Sequence, residues 1–447
     1  MDDFFKSRAL EYHSAGKAGK TSTIANKPVE TPEQLAMAYT PGVAAPAMAI
    51  SQERWKAYRY TNKGNLVAVV SNGSALLGLG NRGALASKPV MEGKAMLFKT
   101  YADIDAFDIE ISDEEPEKVI ATVQALAPTF GGINLEDIKA PECFYIEKRL
   151  RQLLDIPVLH DDQHGTAVTV AAALLNACKI TDRSINNIKI VINGAGAAAI
   201  SSATMLLEMG VLREQITMLD SKGVISTRRT DLDETKAYFA TDSGTTTLSQ
   251  AIDGADVFIG LSKGDLLSES DVKSMQPSPI IFALANPVPE ISYDKAKQWC
   301  PDAIVATGRS DSPNQINNVL SFPYLFRGAL DTLSTTINEA MKIAAAKAIA
   351  AVAQEATSKE IEKLYGRTFV FGKEYILPKP GDKRLLTEVS VAVARAAMES
   401  GVARRGIASF NEYKQTLLAR VESENFFARE YVRHKMGNRT MERERKI

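Results

Sequence analysis

The amino-acid sequence predicts an α/β protein of two domains, one of which is a doubly wound, Rossmann-like parallel sheet that binds a dinucleotide. Three observations support this prediction. At 447 residues the chain exceeds what one hydrophobic core usually organises. Short apolar runs alternate with helical segments through its middle, as in parallel sheets that are covered by helices on both faces. A glycine-rich turn joins one of these strands to the next helix.

The composition excludes several classes of protein. Hydrophobic residues make up 45% of the chain and charged residues 24%, with a formal net charge of -1, so the profile is globular and offers no basic surface to nucleic acid. No apolar run reaches the roughly 20 residues that span a bilayer, and the acidic N-terminus does not resemble a secretory signal. The three cysteines lack the spacing of a zinc site or a disulfide framework. We therefore expect a cytoplasmic protein without nucleic-acid or membrane partners.

The first domain is predicted over residues 1–163, as an α/β unit that begins with a polar arm. The stretch from Thr61 to Ile111 is strand-like, with an apolar run at residues 66–70 and alternation at residues 103–111, and it predicts a small sheet. A helix at residues 117–126, a short strand in GGINLED and a helix at residues 140–154 are expected to follow.

The dinucleotide domain is predicted over residues 164–330. After the strand PVLHDD, a helix from Thr166 to about Cys178 precedes the strand IKIVIN, the glycine turn and a second helix. Further strands are predicted at residues 216–220, 256–261, 279–286 and 303–308, which completes the pattern of a doubly wound sheet. Residues 331–447 are predicted to be mostly helical, with helices at 337–353 and 387–399, and to pack back on the first domain.

The glycine turn has the form GxGxxA between a strand and a helix. In this context Gly194 makes the tight turn, Gly196 lets the backbone approach a pyrophosphate, and Ala199 allows close packing of the helix on the strand. The residues of the turn are predicted to bind the cofactor, and they are Gly194, Ala195, Gly196, Ala197, Ala198 and Ala199.

The residue types after the next strand bear on the choice of cofactor. Asp220 ends that strand, where a carboxylate can bind the ribose 2'-hydroxyl of NAD. Lys222, Arg228 and Arg229 follow closely, and any of them can neutralise the 2'-phosphate of NADP. NAD and NADP both stay open, with a slight preference for NAD.

Two acidic clusters lie at predicted strand ends, at residues 134–137 and 160–166. Clustered carboxylates repel one another unless a cation or a proton holds them together, and oxygen ligands in this number suit Mg²⁺ or Mn²⁺. The alternative is that these residues cap helices, as Asp162 can before an apolar helix. His160 and His164 are expected to support the site by hydrogen bonding and not to bind a hard cation directly.

Seven segments in order resemble the short, single-module malic enzymes. The resemblance covers nearly everything from Tyr12 to about Ala403. The segments are LAMAYTPGVA, SNGSALLGLGNRGALASKPVMEGKAMLFK, GGINLEDIKAPECF, IPVLHDDQHGTA, INGAGAAAIS, ALANPVPE and ATGRSDSPNQINNVLSFPYLFRGALD.

This resemblance implies an enzyme that oxidises L-malate and decarboxylates the product to pyruvate and CO2, and that also decarboxylates oxaloacetate. Lys94 resembles the family's general base at the malate C2 hydroxyl, and such a role requires a lowered pKa, which burial and a nearby cation favour. Tyr39 matches the acid that protonates C3. Glu136, Asp137 and Asp162 match the ligands of the divalent metal.

Three asparagines complete the expected site. Asn286 and Asn317 match family positions near the nicotinamide ribose and the substrate, and Asn318 is included as the neighbour of Asn317. Their alternative role is turn formation, since both segments are typical of loops. We also expect a homodimer, in which the polar arm before Pro28 packs on the second subunit.

The sequence departs from the family at one position. Long animal malic enzymes carry an arginine before LGLG that grips a malate carboxylate, whereas this chain has Ala75. Lys99, Arg82 and the backbone amides of the GLGNRGA turn are the candidate substitutes. Three other functions remain to be weighed, namely a metal-free amino-acid dehydrogenase, a redox-neutral conversion of malate to lactate, and a non-catalytic nicotinamide sensor.

Overall fold

The computed structural model describes residues 3–15, 18–242 and 244–421. Two sheets organise the chain: one of four parallel strands, and one of six strands of which five are parallel. The C-terminal residues 422–447 of the expected helical segment lie outside the described residues.

The first part of the chain forms the four-stranded sheet and its helices. Its elements are α1 (Asp3–Ser14), α2 (Pro32–Ala38), α3 (Ala44–Gln52), α4 (Ala57–Tyr60), β1 (Leu66–Ser71), α5 (Ala84–Ala102), β2 (Asp105–Glu110), α6 (Pro116–Leu126), β3 (Gly132–Leu135), α7 (Glu142–Leu153) and β4 (Val158–His160). The strand order is β2-β1-β3-β4. β1 and β3 are buried along their whole length, as expected of strands covered on both faces.

The second part forms the six-stranded sheet. Its elements are α8 (Asp161–Ile180), β5 (Ile190–Asn193), α9 (Ala197–Glu208), β6 (Ile216–Asp220), β7 (Gly223–Val224), α10 (Glu234–Tyr238), α11 (Leu248–Ile252), β8 (Val257–Gly260), α12 (Glu269–Ser274), β9 (Ile280–Ala283), α13 (Tyr293–Trp299) and β10 (Ile304–Thr307). In the order β10-β9-β8-β5-β6-β7, successive strands are added on one side of β5 and then on the other, so the topological switch point lies between β5 and β8. Only β7 is antiparallel. This order confirms the predicted doubly wound sheet.

The C-terminal part is helical, as predicted. Its elements are α14 (Phe322–Asp331), α15 (Glu339–Gln354), α16 (Lys359–Tyr365) and α17 (Lys383–Glu399), followed by helical residues 410–421. α14 packs on α5 of the first part, and α15 packs on α8, while α17 contacts both α14 and α15. One apolar core therefore runs through both parts of the molecule, from Val67 of β1 through Val170 of α8 to Ile190 of β5.

Two sequence predictions for the elements need correction. The stretch from Thr61 to Ile111 is not strand throughout, because residues 84–102 form the helix α5. Its buried positions recur at helical spacing, at Met91, Ala95, Phe98 and Ala102, with Lys94 on the same face. The helix expected from Thr166 begins five residues earlier, directly after β4, so the domain boundary that we placed at residue 163 falls inside its first turn.

Among the described residues, no helix combines the length and the apolar composition needed to cross a membrane.

Candidate functional site

The first group of expected site residues follows the carboxyl ends of neighbouring strands. Val70 of β1 pairs with Leu135 of β3, and Leu135 pairs with His160 of β4. Because these strands are parallel, Glu136 and Asp161, the residues that come next, emerge at the same edge of the sheet. The sheet thus brings the two acidic clusters of the sequence together.

Lys94 reaches this edge from α5. Phe98, one turn further along the helix, packs edge-on against Phe322 and Phe326 of α14, with ring centroids 4.8 and 5.3 Å apart. These contacts turn the Lys94 face of α5 inward, where the ammonium lies 4.0 Å from the Phe322 ring centroid. Only 9% of Lys94 is exposed, so its charge depends on the polar groups around it.

Two carboxylates hold the ammonium of Lys94. Its Nζ lies 2.9 Å from Glu136 Oε1 and donates a second hydrogen bond to Asp161 Oδ2. Asp161 is fully buried, and a Cβ atom at position 165 would lie 2.0 Å from its Oδ1 atom, so Gly165 leaves the room that Asp161 occupies. Sequence reasoning assigned a role only to Asp162 of the pair; the adjacent carboxylate at the strand end was the signal that could have identified Asp161.

The other two carboxylates make hydrogen bonds to the backbone. Asp162 Oδ2 accepts a 2.8 Å hydrogen bond from the Asp137 amide, and Asp137 Oδ1 accepts one of 3.2 Å from the Leu77 amide. The second oxygen of Asp137 and Oδ1 of Asp161 are buried and have no hydrogen-bond partner among the described residues. Two carboxylate oxygens at this edge are therefore buried without the hydrogen-bond partner that such atoms normally have.

The electrostatics of the cluster are dominated by negative charge. Burial and the neighbouring carboxylates raise the pKa of Asp137 to about 7 and raise the pKa of Glu136 well above its ordinary value. Burial acts to lower the pKa of Lys94, but Asp161 and Glu136 raise it by more, so the net shift is upward. In the protein alone, two adjacent carboxylates therefore outweigh burial, and the lowered pKa that a base requires stays a prediction for the protein with a bound cation.

The donor set fits a divalent cation in its chemistry. Two carboxylates hold the Lys94 ammonium, two more lie at the same edge of the sheet, and two of the oxygens in this set lack partners. Hard cations such as Mg²⁺ and Mn²⁺ prefer such oxygens. Across the described residues, however, no three His, Cys, Asp or Glu side chains converge into a preformed ligand shell. Glu136 is turned toward Lys94, so a cation would have to draw the side chains together.

A buried hydrogen-bond chain lies directly behind this cluster. Glu147 of α7 accepts hydrogen bonds from the His160 amide, at 3.1 Å, and from His164 Nε2, at 3.0 Å. Lys342 of α15 donates to His164 Nδ1 at 3.0 Å and lies 2.6 Å from Glu339. The two histidines flank Asp161 and Asp162, so the chain fixes the segment that carries both. Glu147 and Lys342 were missed because nothing in their local sequence distinguishes them from surface charges.

The three asparagines occupy different environments. Asn318 donates to Asp161 Oδ2 at 3.0 Å, which links it to the Lys94 cluster. Asn317 accepts from the Val319 amide at 2.9 Å and begins a turn, the alternative role considered for it. Asn286 is exposed after β9, and a Cβ at Gly78 would lie 3.4 Å from its carbonyl oxygen. The loop of the first part thereby approaches the six-stranded sheet.

Tyr39 stands apart from this network. It ends α2, its side chain is 70% exposed, and no hydrogen bond to its hydroxyl occurs among the described residues. Within one chain, therefore, nothing yet shields Tyr39 from water.

The candidates for a carboxylate clamp separate by position. Lys99 lies near the C-terminal end of α5, away from the site edge, and its ammonium is 2.7 Å from Asp103 and 3.0 Å from Asp105. This placement argues against Lys99, because its charge is already used at the opposite end of the helix. Arg82 lies in the loop after β1, where its amide donates to the Gly73 carbonyl at 3.0 Å. This loop follows the carboxyl end of β1, at the edge of the sheet that carries the site, so Arg82 stays a candidate.

The glycine turn follows β5, at the topological switch point of the doubly wound sheet. Gly194 adopts a φ of 137°, and a Cβ there would lie 2.4 Å from the Leu261 carbonyl oxygen, so only glycine fits without strain. A Cβ at Gly196 would meet nothing within 4 Å, which leaves the first turn of α9 open to a ligand. Ala199 is 1% exposed, as expected for close packing. These features fit a pyrophosphate at the N-terminus of α9.

Asp220 lies beside the glycine turn, since the Gly194 amide donates to the Leu219 carbonyl at 2.9 Å. Its carboxylate receives a two-pronged hydrogen bond from Arg229, at 2.8 and 2.9 Å, and a third hydrogen bond from the Lys222 amide at 2.9 Å. These hydrogen bonds, with Arg229 as the main cause, lower the pKa of Asp220. The carboxylate expected to bind a ribose hydroxyl is therefore already paired.

Family models match most of the chain. Residues 18–115 and 112–151 match the family described as "Malic enzyme, N-terminal domain", and residues 163–367 match "Malic enzyme, NAD binding domain". The two matches divide the chain close to the start of α8, where the two sheets are joined.

Individual proteins agree with these matches. The chain is 53% identical to the NADP-dependent malic enzyme of Escherichia coli over 96% of its own length, but it spans only 57% of that longer protein. It is 52% identical to the NADP-dependent malic enzyme of Halomonas elongata, with 91% of this chain and 96% of that protein covered. An NAD-dependent malic enzyme of Rhizobium meliloti is 51% identical, with 92% of this chain and 54% of that protein covered.

The fold also has a close counterpart among solved structures. The crystal structure of malic enzyme from Pyrococcus horikoshii superposes with a TM-score of 0.87 at 43% identity, and the match covers 95% of this chain and 98% of that one.

Proposed function

This chain belongs to the malic enzyme family, and from that premise we propose that it oxidises L-malate at C2 and decarboxylates the product. The products are pyruvate, CO2 and a reduced nicotinamide cofactor, and the same site decarboxylates oxaloacetate supplied directly. The observation that carries the proposal is the buried contact of Lys94 with Glu136 and Asp161 at one edge of the four-stranded sheet. A metal-free amino-acid dehydrogenase would give no role to the further carboxylates of Asp137 and Asp162, which adjoin this pair.

Lys94 is proposed to accept the proton of the malate C2 hydroxyl. It is protonated in the protein alone, because two carboxylates stabilise the ammonium. Neutralising Glu136 removes part of that stabilisation and brings the lysine closer to the neutral form that a base requires. The glycine turn would hold the diphosphate of an oxidised nicotinamide cofactor, which would supply the hydride acceptor for C2.

Glu136, Asp137 and Asp162 are proposed to hold Mg²⁺ or Mn²⁺. The unpartnered, buried oxygen of Asp137 supports this. Burial, and after it the charge of Asp162, raises the pKa of Asp137 to about 7, and a bound cation would offset both effects. When bound, such a cation acts as a Lewis acid that polarises the C2 oxygen and stabilises the enolate left by loss of CO2. Asp161 is proposed to position Lys94, and Asn318 in turn holds Asp161.

Tyr39 is proposed to protonate C3 of the enolate, and this role supports a homodimer. An acid that acts in a closed cleft needs shielding from water, yet Tyr39 is 70% exposed in the single chain. The N-terminal segment that contains Tyr39 also carries other exposed apolar side chains, which are Phe4, Phe5, Leu35, Met37, Met48 and Trp55. A second subunit packed on this segment would cover Tyr39 and apolar side chains near it.

Product analysis with L-malate labelled with ¹³C at C4 tests the proposal. With Mn²⁺ and either NAD or NADP, NMR is expected to show the label leaving as CO2 and bicarbonate while unlabelled pyruvate accumulates. Label retained in oxaloacetate would show a dehydrogenase without decarboxylation. Accumulation of lactate without net cofactor reduction would support the redox-neutral alternative instead.

A further inference from the structure

A segment from late in the chain, residues 371–380 between α16 and α17, holds the loop at residues 308–318. Asn314 of the loop is 1% exposed. Its side-chain amide donates to the Lys373 carbonyl at 2.8 Å and accepts from the Ile376 amide at 2.9 Å. One buried side chain thus joins two stretches that lie far apart in sequence.

Lys379 adds a second contact between the same two stretches. Its ammonium donates to the Pro313 carbonyl and lies 5.1 Å from the Phe369 ring centroid. Lys379 is only 7% exposed, and within the described part of the chain it forms no ion pair. Burial, and after it the like charge of Arg367, therefore lowers the pKa of Lys379 to about 8. The protein keeps this buried cation at a cost in stability.

The far end of the loop touches the carboxylate cluster. Asn318 donates to Asp161 Oδ2 at 3.0 Å and accepts from the Thr166 hydroxyl at 3.1 Å. Asp161 in turn holds the Lys94 ammonium. A continuous line of contacts therefore leads from residues 371–380, through the loop, to the buried lysine.

We propose that Lys379 and Asn314 are positioning residues for that buried lysine. They seat the loop so that Asn318 stays against Asp161, which holds the Lys94 ammonium. This inference rests on the proposed function, because it takes the lysine to act in malate oxidation. The cost of burying Lys379 supports it, since an apolar side chain would fill the same space more cheaply but could not hold the loop by its carbonyl.

Lys379→Met separates positioning from stability in the full chain. It removes a buried charge whose pKa is lowered by folding, so the melting temperature should stay the same or rise at pH 7. Hydrogen exchange, followed by mass spectrometry without malate or metal, should become faster in the amides of residues 314–320. With Mn²⁺ and L-malate, kcat should fall by about tenfold or more, while KM for the nicotinamide cofactor stays within about twofold. Lys379→Arg keeps a donor for the Pro313 carbonyl and should restore slow exchange and most of kcat.

Lys373→Met is the matched control, because Lys373 lies in the same segment but pairs with Asp302 at 2.9 Å on the surface. It makes the same substitution and should change neither exchange nor kcat. Asn314→Ala is the second variant, and it should speed exchange in the same amides and lower kcat.

Unchanged exchange and kcat in Lys379→Met would overturn the inference and leave the proposed function intact. A fall in melting temperature that accompanies the loss of kcat in Lys379→Met, and that Lys379→Arg does not repair, would overturn it as well, because it would show a structural role. An unmodified protein that does not oxidise malate would overturn the proposed function and this inference with it.

Discussion

Replacing Glu147 with glutamine tests whether the buried chain behind the carboxylate cluster fixes the site. Glu147 is 5% exposed and accepts hydrogen bonds from the His160 amide and from His164 Nε2. Lys342 donates to His164 Nδ1, so Nε2 must carry the proton and the ring cannot switch tautomer to suit the new side chain. The glutamine oxygen can accept from only one of the two donors, the His160 amide or His164 Nε2. The glutamine NH2 group then faces the other donor, which loses its hydrogen bond.

The size of the effect follows from two independent routes. Hydrogen bonds from His164 and His160, together with their charge, outweigh burial and lower the pKa of Glu147 from 4.5 to about 2. That shift corresponds to about 3 kcal/mol as an upper bound, because burial lowers the pKa of His164 and leaves its ring neutral at pH 7. One buried donor left without a partner costs about 1.5–3 kcal/mol. Both routes give a loss of roughly 2–3 kcal/mol, or about 2–3 °C in melting temperature for a chain of this length.

Thermal unfolding at a series of pH values measures this loss, and Mn²⁺ titration of the folded variant measures its effect on the site. The native pKa lies below the unfolded one, so the stabilisation is complete above about pH 4.5 and disappears as the pH falls toward 2. The difference in melting temperature between the unmodified protein and Glu147→Gln should therefore become smaller as the pH falls from about 4.5 toward 2. Glu142→Gln on the same helix is the control, because Glu142 is 31% exposed and 3.8 Å from Lys139, and it should change the melting temperature by about 1 °C or less. A Glu147→Gln protein as stable as this control, with unchanged Mn²⁺ affinity, would refute the reasoning.

Three further changes test the proposed chemistry. Lys94→Ala should lower the rate of malate oxidation by about 10³-fold or more while calorimetry shows cofactor binding unchanged, and retained turnover would exclude the lysine as base. Tyr39→Phe should slow enolate protonation, measured as exchange of solvent deuterium into C3 of pyruvate, by about 10²-fold, and an unchanged exchange rate would count against its role as acid. Gly194→Ala should lower the melting temperature because its Cβ would meet the Leu261 carbonyl, whereas Gly196→Val should leave stability unchanged and weaken dinucleotide binding; the opposite pattern would contradict the assignment of the turn.

The fold was predictable where the hydrophobic pattern was regular. The strand from Ile216 to Asp220 and the alternation around the glycine turn appear as predicted, because buried parallel strands read as short apolar runs. α5 was missed for a physical reason. Its buried face carries Lys94 among Met91, Ala95 and Phe98, and a charged residue at a core position breaks the periodicity that identifies a helix. The irregularity in the sequence coincides with the candidate site.

The site was predictable in its residue types but not in its pairings. The sequence places two acidic clusters at strand ends, and the parallel register of β1, β3 and β4 brings them together. It does not reveal that Asp161 faces Lys94 while Asp162 faces the Asp137 amide, since these directions depend on the first turn of α8. Nor does the sequence reveal that Arg229 forms an ion pair with Asp220, because the two residues are nine positions apart and meet only through the fold of the intervening turn.

The most direct test of the account is the absorbance at 340 nm with L-malate and Mn²⁺, measured with NAD and with NADP, and repeated with EDTA. We expect a rise that EDTA abolishes, matched mole for mole by pyruvate, and the two rates at limiting cofactor will rank NAD and NADP. Folded protein that reduces neither cofactor, or that reduces one equally well in EDTA, would contradict the proposal that a divalent cation among these carboxylates supports oxidative decarboxylation of malate.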